Sequence, residues 1–297
     1  MSELTTKYGL ILDKDEIARN LDFCAGNVEN VVSEQVLKTC FSAMDVTTLS
    51  TNDTESKVKG LVEKVNGLST QYPDLPRVAS VCVYPNFAHV VRKTRSTDEL
   101  HVTCVSSCFP SAQSFLEVKV RECELAVEDG ADEIDIVLAL NSFLAGDYAA
   151  AGNEIKVMKE AIDRTAAKLG RRVILKVILE TGLLVTPELI ADASFLAMEN
   201  GADFIKTSTG KVSVNATPTA AYVMCASIKA FYEKTGRKVG FKAAGGISTT
   251  LDAVSYYSIV SSVLGGEWLD NRYFRLGVSR LANALLSSLE QKTVVYF

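Results

Sequence analysis

The chain has 297 residues, 47% of them hydrophobic and 23% charged, which is enough apolar material for a large core and excludes a disordered chain. Its formal net charge of -5 and pI near 5.3 exclude the broad basic surface that nucleic acid requires, so any anion site must be local. No apolar run approaches the ~20 residues that span a bilayer, and the opening MSELTTKYGL lacks a secretion pattern, so a cytoplasmic protein with no membrane partner is expected.

Residues 1–38 predict a leading helical segment, with helical spacing over Ile17 to Leu21 and Val31 to Leu37, placed as short helices capping the lower end of the barrel. Short β-branched or apolar runs then recur at Phe41 to Val46, Val78 to Val83, Val102 to Val105 and Glu133 to Leu138. Four more lie at Val173 to Leu179, Phe204 to Thr207, Val239 to Lys242 and Tyr273 to Leu276. Stretches such as Leu116 to Val127 and Leu189 to Met198, apolar at intervals of three and four, separate them as helices. Eight strand candidates alternating with helices predict an α/β fold, a (β/α)8 TIM barrel over residues 39–297, in a single domain spanning 1–297. A doubly wound open sheet is the runner-up, but Asp45-Val46-Thr47-Thr48-Leu49 after the first strand contains no GxGxxG turn.

Seven cysteines without CxxC pairs are read as reduced thiols, and two histidines, His89 and His101, are too few for a metal site; neither metal nor cofactor is expected. The informative residues are ionisable ones late in different strands: Asp45, Asp135, Lys176, Lys206 and Lys242. Barrel sites are assembled from strand C-termini, so these side chains should converge. A single lysine at a strand end can snorkel to water, whereas three on neighbouring strands form a like-charged cluster that costs stability and points to chemistry. A lysine must lose its proton to attack a carbonyl, and a second ammonium with partial desolvation promotes that loss. Asp135 should face the same way as Glu133 and lie nearer the catalytic end; as an alternative, it serves only as an ion-pair partner.

Lys206-Thr207-Ser208-Thr209-Gly210-Lys211 is not a nucleotide loop, since Ile205 stands where the first glycine belongs and Val212 where a hydroxyl residue belongs. It can still bind phosphate through backbone N–H groups and Lys211, together with Ala244-Gly245-Gly246 and Gly277-Val278-Ser279, because barrels commonly hold phosphate beyond strands seven and eight.

The chain resembles the deoxyribose-phosphate aldolase family at Gly201-Ala202-Asp203-Phe204-Ile205-Lys206-Thr207-Ser208-Thr209-Gly210-Lys211 and on through Val214-Asn215-Ala216-Thr217. Shorter matches fall at Met44 to Leu49, Val81 to Pro85, Gly130 to Asp135, Leu175 to Gly182 and Val239 to Lys242. The resemblance implies a metal-free class I aldolase that reversibly cleaves 2-deoxyribose 5-phosphate to glyceraldehyde 3-phosphate and acetaldehyde. It carries the Schiff-base role to Lys206, the pKa-lowering role to Lys242 and the proton relay to Asp135, with Asp45, Lys176 and Cys82 in support.

Departures cluster at the phosphate end. Lys242 is followed by Ala243 instead of proline, Ser248 stands where arginine is common, Arg280 follows Ser279, and Ala112 replaces a glycine. Arg280 is a candidate replacement for the cation missing at Ser248. The expected partner is a small sugar phosphate, with a homodimer as a prior for a soluble enzyme. The competing readings are a non-catalytic or weakly catalytic barrel that binds another protein and a Schiff-base aldolase acting on a related sugar phosphate.

Overall fold

A computed structural model describes residues 2–297. Three helices lead: α1 (Glu3–Lys7), α2 (Lys14–Val31) and α3 (Glu34–Ser42). Next come β1 (Met44–Thr47), α4 (Glu55–Gln71), β2 (Ser80–Val83), α5 (Ala88–Thr94), β3 (His101–Val105), α6 (Leu116–Glu128) and β4 (Glu133–Val137). The chain continues through α7 (Leu140–Leu144), α8 (Tyr148–Lys168), β5 (Ile174–Ile178), α9 (Thr181–Leu184), α10 (Pro187–Glu199) and β6 (Phe204–Lys206). It ends with α11 (Pro218–Thr235), β7 (Gly240–Ala244), α12 (Thr250–Leu264), β8 (Phe274–Val278) and α13 (Leu281–Glu290). The strands are parallel and close in sequence order, β8 pairing with β1, which is the predicted (β/α)8 barrel.

Local chemistry starts many of the helices. Thr54, Thr186, Thr217 and Thr249 each accept a hydrogen bond from a backbone N–H in the first turn of α4, α10, α11 and α12, a cap worth about 1 kcal/mol apiece. Pro187 and Pro218 occupy the first helical position, where their missing N–H costs nothing. Gly236 stops α11 at φ 70°, a conformation other residues resist.

Each strand alternates between two environments with period two. Met44, Val46, Ile134, Ile136, Leu175, Val177, Ile205, Phe241, Phe274 and Leu276 join the main apolar core between sheet and helices. Their neighbours face the barrel axis, where Asp45, Ser80, Thr103, Glu133, Asp135, Lys176, Lys206, Lys242 and Arg275 are all buried. Branched aliphatics usually fill such an interior; here apolar residues hold only its two ends, Ile174 and Phe204 at the lower mouth and small clusters containing Leu49, Cys82 and Val105, and Ala112, Val137 and Ile178, at the upper.

Two expectations are corrected. Phe41 belongs to α3 and not to the first strand; Leu37, Cys40 and Phe41 are buried at helical spacing, so the apolar run is one helix face leading into Met44. The leading helices do not cap the lower end of the barrel. Helix α2 packs on α11 and α12, α1 on α10 and α3 on α12 and α13, while no residue before β1 lines the lower mouth. Only Ile17 and Cys24 of α2 are buried, as suits a helix laid over an already closed ring. Among the described residues no helix is long and apolar enough to cross a membrane.

Candidate active site

The predicted ionisable residues meet inside the barrel. Asp135 on β4 sits at the centre: Oδ2 accepts from Lys206 Nζ at 2.9 Å and Lys242 Nζ at 2.8 Å, and Oδ1 accepts from Lys176 Nζ at 2.8 Å. Lys242 also lies 2.5 Å from Asp45 Oδ2, and Lys176 lies 2.5 Å from Glu133 Oε2. Below them, Arg275 on β8 donates to Asp45 Oδ1 at 2.6 Å and to Glu133 Oε1 at 2.7 Å. Glu133 further accepts from Thr103 at 2.9 Å and stands 2.6 Å from His101 Nδ1.

Glycines make the space. A side chain at Gly240 would begin 2.3 Å from the Phe204 ring, and one at Gly277 would lie 3.1 Å from Lys242 Cε. Gly277, next to last in β8, also gives room to the Lys242 stem through its bare backbone.

Four cations (Lys176, Lys206, Lys242, Arg275) thus face three carboxylates (Asp45, Glu133, Asp135) in a buried chamber. Charges out of water are tolerated only when compensated, so one cation is in excess and the chamber becomes neutral if one proton leaves. Lys206 is the least supported. It meets a single carboxylate oxygen, whereas Lys242 and Lys176 each contact two carboxylates more closely than 3 Å. Lys206 is also 4% exposed while the other two are fully enclosed, so it is the least enclosed of the three.

The pKa shifts obey the same logic. Burial lowers the Lys206 pKa below that of an ordinary lysine and the Lys242 ammonium adds to the effect, outweighing Asp135. Burial would lower Lys242 too, but Asp135 and Asp45 hold it above the usual lysine value, a fixed cation beside a labile one. Burial acts to raise the Asp135 pKa, yet three ammonium groups keep it far below the ordinary carboxylate range. Cys82, on the apolar side of the chamber, has its thiol pKa raised chiefly by burial, which disfavours a thiolate.

At the upper mouth the loop after Lys206 is pinned by Glu180, which stands in the left-handed region at φ 53° and accepts from Thr209 N at 3.1 Å and from the Thr209 hydroxyl. Lys211 lies at the surface and donates to the Leu49 carbonyl at 2.6 Å, tying this loop to the one after β1. Gly210 is exposed at φ 80°. Gly245 and Gly246 come after β7 at φ 82° and 81°, with Gly245 so close to Asn215 that a side chain would begin 2.6 Å from its Oδ1. Ser279 and Arg280 are both exposed; Arg280 precedes α13 and makes no ion pair among the described residues, and Ser279 lines a recess of about 490 Å³ with Thr47, Thr48, Lys57 and Phe297. Ser248 is exposed, its N–H bound to Asp252. The penultimate Tyr296 lies away from the chamber, donating to the Lys64 carbonyl and packing on Tyr72.

Sequence reasoning missed Arg275 and left Glu133 as a mere neighbour of Asp135. Arg275 carried the signal already applied to the lysines, a cation between Phe274 and Leu276 within an apolar strand.

The family model for DeoC/LacD family aldolases matches residues 39–258. A curated Caenorhabditis elegans protein, provisionally named a deoxyribose-phosphate aldolase, is 41% identical over 95% of this chain and 91% of its own length. A solved structure of an aldolase named QR15 is 28% identical, with TM-score 0.67 over 85% of this chain and 96% of that one. A Toxoplasma gondii structure at 22% identity and TM-score 0.73, covering 87% of this chain and 95% of that chain, shares the fold.

Proposed function

The chain belongs to the DeoC/LacD aldolase family, and from that premise we propose that it reversibly cleaves 2-deoxy-D-ribose 5-phosphate to D-glyceraldehyde 3-phosphate and acetaldehyde through a Schiff base on Lys206. The observation that carries this is the chamber with one cation in excess, in which Lys206 is the least compensated and least enclosed lysine.

Neutral Lys206 attacks the C1 aldehyde of the open-chain sugar, and loss of water leaves an iminium. The C3 hydroxyl gives up its proton through a water to Asp135 as the C2–C3 bond breaks, and the electron pair of that bond moves into the enamine. Three ammonium neighbours make Asp135 a weak base, which suits a group that relays a proton instead of storing it. Protonation of the enamine at C2 and hydrolysis release acetaldehyde and return Lys206 to the amine. Lys242 stays charged throughout and holds the Lys206 pKa down; Asp45 and Lys176 fix Lys242 and Asp135 in place. Gly210, Lys211, Gly245, Gly246, Gly277, Ser279 and Arg280 hold the 5-phosphate at the upper mouth, with Arg280 supplying the cation that Ser248 lacks.

A protein-binding barrel without catalysis is not favoured, because such a scaffold gains nothing from seven buried charges with one in excess. The test is borohydride reduction in the presence of 2-deoxyribose 5-phosphate, with peptide mass spectrometry to locate the product. A reduced adduct confined to Lys206, with turnover abolished in Lys206→Ala, is the expected result; no adduct in a folded sample rejects the reading.

A further inference from the structure

The lower mouth of the barrel, opposite the candidate active site, is a second basin with a volume of about 820 Å³. Its wall carries eight arginine and lysine side chains against three aspartates, in a protein whose net charge is -5; of the eight, Lys238 and Arg272 are paired off the wall with Glu267 and Asp270, both at 2.7 Å.

Those aspartates are already committed. Asp132, just before β4, accepts from Val102 N at 3.0 Å and from three guanidinium groups: Arg95 at 2.6 Å, Arg92 at 2.8 Å and Arg171 at 3.3 Å. Asp203, just before β6, repeats the device: it accepts from Leu175 N at 3.0 Å, from Lys159 at 3.2 Å and from Arg172 at 2.8 Å. Asp98 adds one more contact to Arg95. Arg237 meets no carboxylate among the described residues; it donates to the Ala202 carbonyl at 2.9 Å and to that of Met198. Arg275 forms the floor, its charge shared with Asp45 and Glu133.

Three guanidiniums on one carboxylate repel one another. Arg171 shows the effect: its pKa is lowered by burial first, while Asp132 opposes and Arg92 and Arg95 add to the fall. Cations held this way are stabilised by any further anion that enters between them. Arginine presents paired N–H donors matched to tetrahedral oxyanions, and Arg172, with 76% of its side chain exposed, can turn its free edge into the basin.

We propose that the lower mouth binds a phosphate dianion, free or as the end of a phosphomonoester, between Arg92, Arg171, Arg172 and Arg237. This site is separate from the glycine loops of the upper mouth, and it stands whether or not the catalytic reading holds.

Isothermal titration calorimetry at fixed ionic strength tests it, with inorganic phosphate and phenyl phosphate as probes. The proteins compared are the wild type, Arg172→Glu at the lower mouth and Lys211→Ala at the upper. The expected result is a phosphate-binding event that survives Lys211→Ala and weakens about tenfold or more in Arg172→Glu, since one charge-assisted pair becomes a repulsion. Phenyl phosphate binding comparably identifies the ester as ligand, and its exclusion identifies the free ion; both support the site. Binding unchanged in Arg172→Glu, binding lost in Lys211→Ala, or no heat beyond that of chloride overturns the proposal.

Discussion

Replacing Arg275 with methionine removes one charge from the chamber and leaves its shape nearly intact. Lys206, Lys242 and Arg275 are register partners on three adjacent strands, so the backbones of Lys206 and Arg275 are two strand spacings, about 10 Å, apart, and their charges are taken as separated by the same order. With an effective dielectric constant near 20, two like charges at that distance repel by ~1.7 kcal/mol, roughly one pKa unit. Removing the guanidinium removes the repulsion, so the Lys206 ammonium becomes more stable and its pKa rises. The acid limb of kcat/KM, where activity appears as Lys206 loses its proton, should then move upward by about one unit, slowing the variant roughly tenfold on that limb. The variant also strands Asp45 and Glu133, at an expected cost of about 3–5 kcal/mol and a Tm lower by something on the order of 10 °C. The assay is a pH series of kcat/KM on a sample shown by circular dichroism to be folded at each pH. An acid limb that stays put or moves to lower pH refutes the account in which the excess charge sets the Lys206 proton affinity.

The same geometry predicts other outcomes. Gly240→Ala forces a methyl group against the Phe204 ring, where the first contact would be 2.3 Å, and should cost about 1–3 kcal/mol in a urea melt; wild-type stability would show that the ring moves freely. Asp45, Glu133 and Asp135 all have pKa values lowered in the folded state, so the unfolded chain binds more protons than the native one in acid. Their stabilisation is therefore present above the unfolded carboxylate values near ~4 and is lost as pH falls below them, and a urea midpoint that stays level from pH 5 to pH 3 would contradict this. Arg280→Ala should raise KM for 2-deoxyribose 5-phosphate much more than for deoxyribose, and equal effects on both would remove Arg280 from phosphate binding.

The barrel was legible because its outward strand faces are written in Val, Ile, Leu and Phe, a signal that survives without knowing what packs against it. The lysines were legible for the opposite reason, as charges interrupting such runs. Arg275 obeys the same rule, but Gly277 and Ser279 beside it carry the competing signal of a phosphate loop, which drew the reading away from the cation two residues earlier. The leading helices were recognised but misplaced, since α2 has an amphipathic spacing that names no partner; only the assembled ring offers the seam on α11 and α12. Short turns such as α9, held between left-handed Glu180 and Val185, depend on tertiary contacts to the loop after β6 and have no periodicity to read.

The network of four cations and three carboxylates also constrains how this sequence can change over time. Removing the charge at any one of the six positions around Lys206 alters the charge excess that it feels and strands a partner at once, so such a change is penalised twice. Divergence should therefore favour linked pairs: loss of the Arg275 charge is least costly alongside loss of a carboxylate such as Glu133, and loss of Asp45 alongside that of a cation. Relatives that differ at Arg275 should therefore differ at Glu133 or Asp45 as well, while the aliphatic residues on the outer faces of the same strands remain free to exchange one at a time.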